Sequence, residues 1–170
     1  TLDAGGSNLI FASGGTNLLD IANSSSDVII KPLVDAKDII IHQYDGTSLV
    51  EFNDAGYSKF VSAALSPEVA LTDAATVTWN SLTQPVAKVV LTANRTMGLA
   101  SGGVAGQFIS LLVIQDAGGT NTLSWNAAYE FTGDTAPTLT STGARGDLFI
   151  FRYNGAKWLE VGRNLNLVLS

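Results

Sequence analysis

The chain holds a single histidine, His42, and no cysteine. A Ser-His-Asp or Cys-His relay needs a base beside its nucleophile, so any such chemistry would have to run through His42. That residue lies between "DIII" (residues 38–41) and the dipeptide Asp45-Gly46, a setting that reads as a surface or interface histidine next to a turn. There is no HExxH pair, no EF-hand loop and no Cys/His spacing for zinc. "GGVAGQ", residues 102–107, has glycines but lacks the lysine-serine pair of a phosphate loop, and it leads into a strand pattern instead of a helix N-terminus. "QDAGGTN", residues 115–121, offers one carboxylate, Asp116, where a tight calcium site takes several. Glycoside hydrolysis takes two carboxyls about 5–10 Å apart in a cleft. The fifteen acids are spread thinly, with no pair singled out by spacing. The chemistry-bearing residues therefore read as those of a non-enzyme with no cofactor and no metal site.

Sugar binding remains, because aromatic faces stack on apolar sugar surfaces. Tyr129, Tyr153, Trp125 and Trp158 are the aromatics near turn-rich segments. The three tryptophans, Trp79, Trp125 and Trp158, sit inside strand patterns, where core packing is the commoner fate. Tyr129, in "NAAYEF" ahead of a turn-rich loop, is the candidate ligand-facing residue. The sequons Asn23-Ser24-Ser25 and Asn94-Arg95-Thr96 carry meaning only on a eukaryotic secretory route.

The elements that would position these residues are short strands. Of 170 residues, 46% are apolar, only 14% are charged and 17 are glycine; such a profile suits many strands joined by tight turns. A net charge of -6 with nine scattered basic residues argues against a nucleic-acid partner, which needs clustered Lys and Arg. No run approaches the length of a membrane-spanning helix, and no charged-then-apolar leader opens the chain, so a soluble protein without membrane insertion is expected. The first residue is Thr1, as in a processed product or the ordered part of a longer polypeptide.

Residues 1–62 repeat themselves. "LIFASGGTNLLDIAN" (9–23) set against "IIHQYDGTSLVEFND" (40–54) places Ile10 on Ile41, Gly15 on Gly46, Thr16 on Thr47 and Leu18 on Leu49, an offset of 31. A shorter echo sets "DVII" (27–30) against "DIII" (38–41). Each unit reads as a strand, a Gly-Thr turn and a second strand. "DIII" puts apolar side chains on both faces, and a lone hairpin is marginal in water. Either the rest of the chain covers these ribbons or identical chains do. Three copies wrapped about an axis would bury Ile39, Ile41, Val50 and Phe52 and protect the strand edges. A strand pair tucked against a monomeric sandwich is the other arrangement.

Residues 63–74, "AALSPEVALTDA", read as a linker, with one helical turn after Ser66-Pro67-Glu68 as an option. Residues 75–170 read as all-β, with strands expected at 75–81, 86–92, 95–99, 107–115, 121–126, 147–153 and 157–163, a β-sandwich or jelly-roll-like domain. Phe149, Phe151 and Tyr153 form one apolar-aromatic row, so their strand should be central. Asn154-Gly155 then joins it to 157–163, and Trp158 should be core.

Three stretches of this second part, "VTWNSLTQPVAKVVLTANRTMGL", "GQFISLLVIQDAGGTNTLSWNAAYEF" and "TAPTLTSTGARGDLFIFRYNGAKWLEVGRNLNL", resemble the β-rich C-terminal domain of tail-fibre and related structural proteins of tailed bacteriophages. The resemblance covers residues 76–167. "SSSDVIIKPLVDAKDIIIHQYDGTSLVEFNDAGY" is similar to the shaft-like segments that precede such domains. It implies a homotrimer in the virion, made in the bacterial host's cytoplasm, with other virion proteins and a host-surface glycan or protein as partners. It carries no catalytic residue. Two roles follow from it: a tail fibre that adheres to the host multivalently, and a capsid decoration protein that stabilises the shell.

Overall fold

The computed structural model describes residues 8–25 and 27–169, and the fold is all-β, with no α-helix among the described residues. Residues 1–7 and Ser26 of the expected hairpin region lie outside the described residues. The backbone divides into two compact units, Thr1–Ala64 and Leu65–Ser170.

The first unit contains two antiparallel three-stranded sheets. Strands β1 (Asn8–Ser13), β2 (Thr16–Ser24) and β3 (Asp27–Pro32) form one, in that order; β4 (Ile39–His42), β5 (Ser48–Phe52) and β6 (Ser58–Phe60) form the other. Tight turns close the hairpins. Gln43 N–H donates to Thr47 O at 2.8 Å, and Gly46 sits at a φ of 86°, where a side chain would be strained. The 31-residue echo has a counterpart in the ladders. Phe11 pairs with Leu19 and Ala12 with Asn17, leaving Leu18 as the extra residue of a bulge; Ile41 pairs with Val50 and His42 with Ser48, leaving Leu49. These two leucines are the residues that the offset superimposes. The first strand of each hairpin departs from the echo, because Ile10 faces Asp20 whereas Ile41 faces Val50. A slip of one residue exchanges the two faces of a strand, so β4 presents the other set of side chains from β1.

The second unit holds β7 (Val69–Ala70), β8 (Thr76–Val77), β9 (Val86–Leu91), β10 (Arg95–Met97), β11 (Phe108–Gln115), β12 (Leu123–Trp125), β13 (Tyr129–Glu130), β14 (Arg145–Tyr153) and β15 (Trp158–Val168). Six strands build a curled mixed sheet in the order β13-β15-β14-β11-β9-β7, and three short parallel strands build a second, β12-β10-β8. Both sheets feed one core. Val77, Met97 and Leu123 of the small sheet join Val89, Leu111 and Phe149 of the large one in a single buried cluster. The aromatic row lies on the inner face of β14, with β15 and β11 on either side. Residues 63–74, read as a connector, do more than connect. Val69 and Ala70 pair in parallel with Ala87 and Lys88 to form the edge strand β7, and no helical turn follows Ser66.

Candidate functional site: an uncovered apolar sheet face

The residues expected to meet sibling chains share one face of one sheet. Ile39 pairs with Phe52 and Ile41 with Val50 across β4 and β5, and directly opposed residues point to the same side. Val50 also pairs with Phe60 on β6, which extends the row to five apolar side chains. Sequence reasoning missed Phe60, although its place in "SKF" after a Gly-Tyr turn could have marked it as the third strand's contribution. The opposite face is polar in part, with Lys59 Nζ 3.1 Å from Glu51 Oε2 beside Ile40.

Among the described residues of the first unit, nothing covers the apolar face. Ile41 is 49% exposed and Phe52 48% exposed, while Ile39 and Val50 are only partly buried. The β1–β3 sheet is in the same condition, with Phe11, Val28 and Ile30 exposed on one face and Ile10 and Ile29 on the other. Among the described residues, all the fully buried apolar side chains belong to the second unit. Among the described residues of the first unit, only Asp20 is nearly buried (6% exposed), and its carboxylate accepts two hydrogen bonds from Asn8 Nδ2 at 3.0 and 2.8 Å. Ordering each residue costs about 1–2 kcal/mol of backbone entropy, against about 25 cal/mol for each Å² of apolar surface removed from water. A unit that leaves most of its isoleucine and phenylalanine surface wet lacks the main term that opposes this cost.

An open recess of about 500 Å³ lies at one end of the row, lined by Pro32, Leu33, Val34, Ile39 and Phe52. Asp35, Lys37, Asn53 and Asp54 also line it, so apolar and charged groups share the recess. His42 serves the neighbouring turn. Its Nδ1 lies 2.8 Å from Gly46 O, and since a carbonyl only accepts, Nδ1 carries the proton and donates.

The remaining candidates fall in the second unit. Tyr129, expected to face a ligand, is instead in the core: it is 5% exposed and donates its hydroxyl to Gly98 O at 3.2 Å. Burial pushes its phenol well above the ordinary tyrosine range. It packs edge-on against Trp125 at 5.2 Å and Phe151 at 5.1 Å, in a cluster that also holds Phe131 and Phe149. The two-residue strand β13, paired in parallel with Trp158 and Leu159, turns the ring inward. Trp79 and Trp158 are buried as expected. Trp125 is partly buried, and its Nε1 has no hydrogen-bond partner. No tryptophan ring therefore lies open as a platform for a sugar.

The glycine-rich loops hold structure together. Asp116 Oδ1 accepts from the amides of Gly118 and Gly119, both at 3.0 Å, which fixes the "DAGG" turn. Gly103 lies against the Trp158 and Tyr153 rings, so a Cβ there would stand 2.9 Å from Trp158 Cζ2. Asp73 receives Arg95 Nε at 2.7 Å and Nη2 at 2.9 Å, and the Thr92 amide at 3.1 Å. These hydrogen bonds, Arg95 foremost, hold its carboxyl well below the usual carboxylate range. A groove of about 430 Å³ lined by Thr72, Thr78, Asn80, Gln84 and Ser101 offers hydroxyls and amides to a polar ligand. Among the described residues no group of three metal-ligating acids or histidines comes together, and no helix is long and apolar enough to cross a membrane. No family model matches the chain, and no curated protein matches it in sequence.

Proposed function

We propose that this chain is a structural protein of a tailed-phage virion, homotrimeric and of the fibre type, which adheres to the host surface through several copies of one weak site. The observation that carries the self-assembly is the first unit without an apolar core of its own. Among its described residues the sheets present isoleucine, valine and phenylalanine on faces that the unit itself leaves wet, and copies of the same chain are the partner always present at the right stoichiometry. The repeated hairpins then act as a shaft, and the second unit, whose two sheets enclose a core as in a sandwich, acts as the head. The virion role rests on the resemblance of residues 76–167 to fibre-type domains. Adhesion by a trimer needs no deep pocket, because linking weak sites on one rigid axis raises avidity by orders of magnitude.

Light scattering on the full chain at micromolar concentration tests the reading. Three times the 17.7 kDa chain mass is expected, and a monomer mass at that concentration would remove the shaft and the multivalent adhesion with it.

A further inference from the structure

The six-stranded sheet of the second unit has the wrong outer face for a solvated knob. A sheet packed on one side normally alternates apolar inward with polar outward. Here the inward positions of β9, β11 and β14 are buried, and their outward neighbours are also apolar: Val86, Val90, Leu112, Ile114, Leu148 and Ile150. The register lays them side by side. Val86 aligns with Ser110 and Ile150, Lys88 with Leu112 and Leu148, and Val90 with Ile114 and Gly146. Phe108, 56% exposed, stands at one margin beside Arg152. At the other, the Leu112 and Leu169 side chains close over Gly146, within 3.0 and 2.9 Å of where a Cβ would be. A shallow recess of about 230 Å³ opens between Pro85, Phe108 and Ile150.

We infer that this outer face is a second self-association surface, and that its occupant is another copy of this chain. Two observations choose that occupant. The first is charge. The chain carries fifteen acids and a net charge of -6, yet no acid points outward from β9, β11 or β14. Lys88, in the middle of the face, is neutralised within the chain by Glu68 at 2.7 Å. The carboxylate that this brings to the face is held in the ion pair, so two copies can meet here without setting an unpaired acid against another. The second is area. Three strands spaced about 4.8 Å apart, each contributing three or four outward positions, present roughly 400 Å². That is about half of the roughly 800 Å² per partner of a standard interface, and the size of the largest apolar patch of a typical monomer, about 300–600 Å², which is often functional. The inference stands on the second unit alone and does not need the shaft.

The absence of cysteine makes the test clean. Ser110→Cys places the only thiol at the centre of the face, and Ser124→Cys places one at an exposed position of the small sheet as the open control. The rate of reaction with a disulfide reagent is followed on the full chain from about 100 µM down to about 10 nM. Ser110→Cys is expected to react at least tenfold more slowly than Ser124→Cys at the high end and to approach its rate on dilution. Adding Ile150→Glu is expected to restore fast reaction at every concentration. If tryptophan fluorescence shows that this variant is unfolded, Val90→Lys at the edge of the face replaces it. Equal, fast rates at all concentrations would leave the face open to water and overturn the inference. Slow reaction that persists on dilution would overturn it too, because the cover would then be the chain's own first unit.

Discussion

Phe52 is the sharpest place to test the shaft. Its ring is half exposed in the chain. Full burial of a phenylalanine is worth about 1.5–3 kcal/mol, so about 1 kcal/mol remains to be gained per copy when another chain covers it. Phe52→Ala in three copies removes about 3 kcal/mol from the trimer. At 1.4 kcal/mol per tenfold this is about a hundredfold in the trimer dissociation constant. The midpoint concentration varies as the square root of that constant, so assembly should need about tenfold more protein. Lys59→Ala supplies the control on the opposite face of the same sheet, where its exposed ion pair with Glu51 contributes no more than about 0.5–1 kcal/mol. Sedimentation velocity over a concentration series reads both. In a monomer, both substitutions change surface residues, with effects within about 0.5 kcal/mol. Superimposable series for Phe52→Ala, Lys59→Ala and the unsubstituted chain would therefore refute the argument from exposure to assembly.

Four further outcomes follow from particular contacts. Asp73 has a folded-state pKa below its unfolded value near 4. Its contribution is thus fully present above about pH 4 and fades as pH falls toward the folded value, and Asp73→Asn should be less heat-stable than the parent at pH 7, by a margin that narrows steadily as pH falls below about 4. A difference that does not change with pH would contradict the ion-pair account. Gly143→Ala should destabilise the second unit by about 2–4 kcal/mol in denaturant unfolding, because the new Cβ would lie 2.2 Å from Ala117 O in a neighbouring loop and only backbone movement can relieve it. Asp147, nearly inaccessible, accepts from the Thr140 amide and hydroxyl, both at 2.7 Å, and from the Asn166 amide at 2.9 Å. Asp147→Leu leaves the half-buried Thr140 amide and the Asn166 amide without their acceptor and should cost about 1–3 kcal/mol, with faster hydrogen exchange at Thr140 and Asn166 as its signature. Electron microscopy of virions carrying a gold label on this chain should place it on the tail; label spread over the shell would favour the decoration role instead.

Strand existence was legible where alternation ran for six residues or more and a glycine turn followed. Asn154-Gly155 marked the hairpin of β14 and β15, where Asn154 Oδ1 accepts from the amides of Ala156 and Lys157, and Phe149 and Phe151 faced inward as their spacing required. Two-residue strands carry no period. Val69–Ala70 therefore passed as linker and Tyr129–Glu130 as loop, and the second omission turned Tyr129 outward in the reading when its ring is core. Pairing direction was also hidden. β7, β9 and β11 run parallel although nothing in their side chains says so, since order in a sheet is fixed by which long-range contacts close. Nothing around Gly143 in the sequence says that it is required, because what requires it is the contact of two loop backbones. The Ile39, Ile41, Val50 and Phe52 row could be read because it needs only period two and one turn, but Phe60 joined it through a third strand of three residues.

The order of the two units along the chain has a consequence for biosynthesis. A ribosome exposes the coreless unit before the one that can bury its own side chains. If copies cover one another as proposed, those leading ribbons stay open to proteases and to wrong partners until the copies meet. On that proposal their maturation depends on how densely a message is translated, and dilute expression should yield a protease-resistant remnant that begins near Leu65.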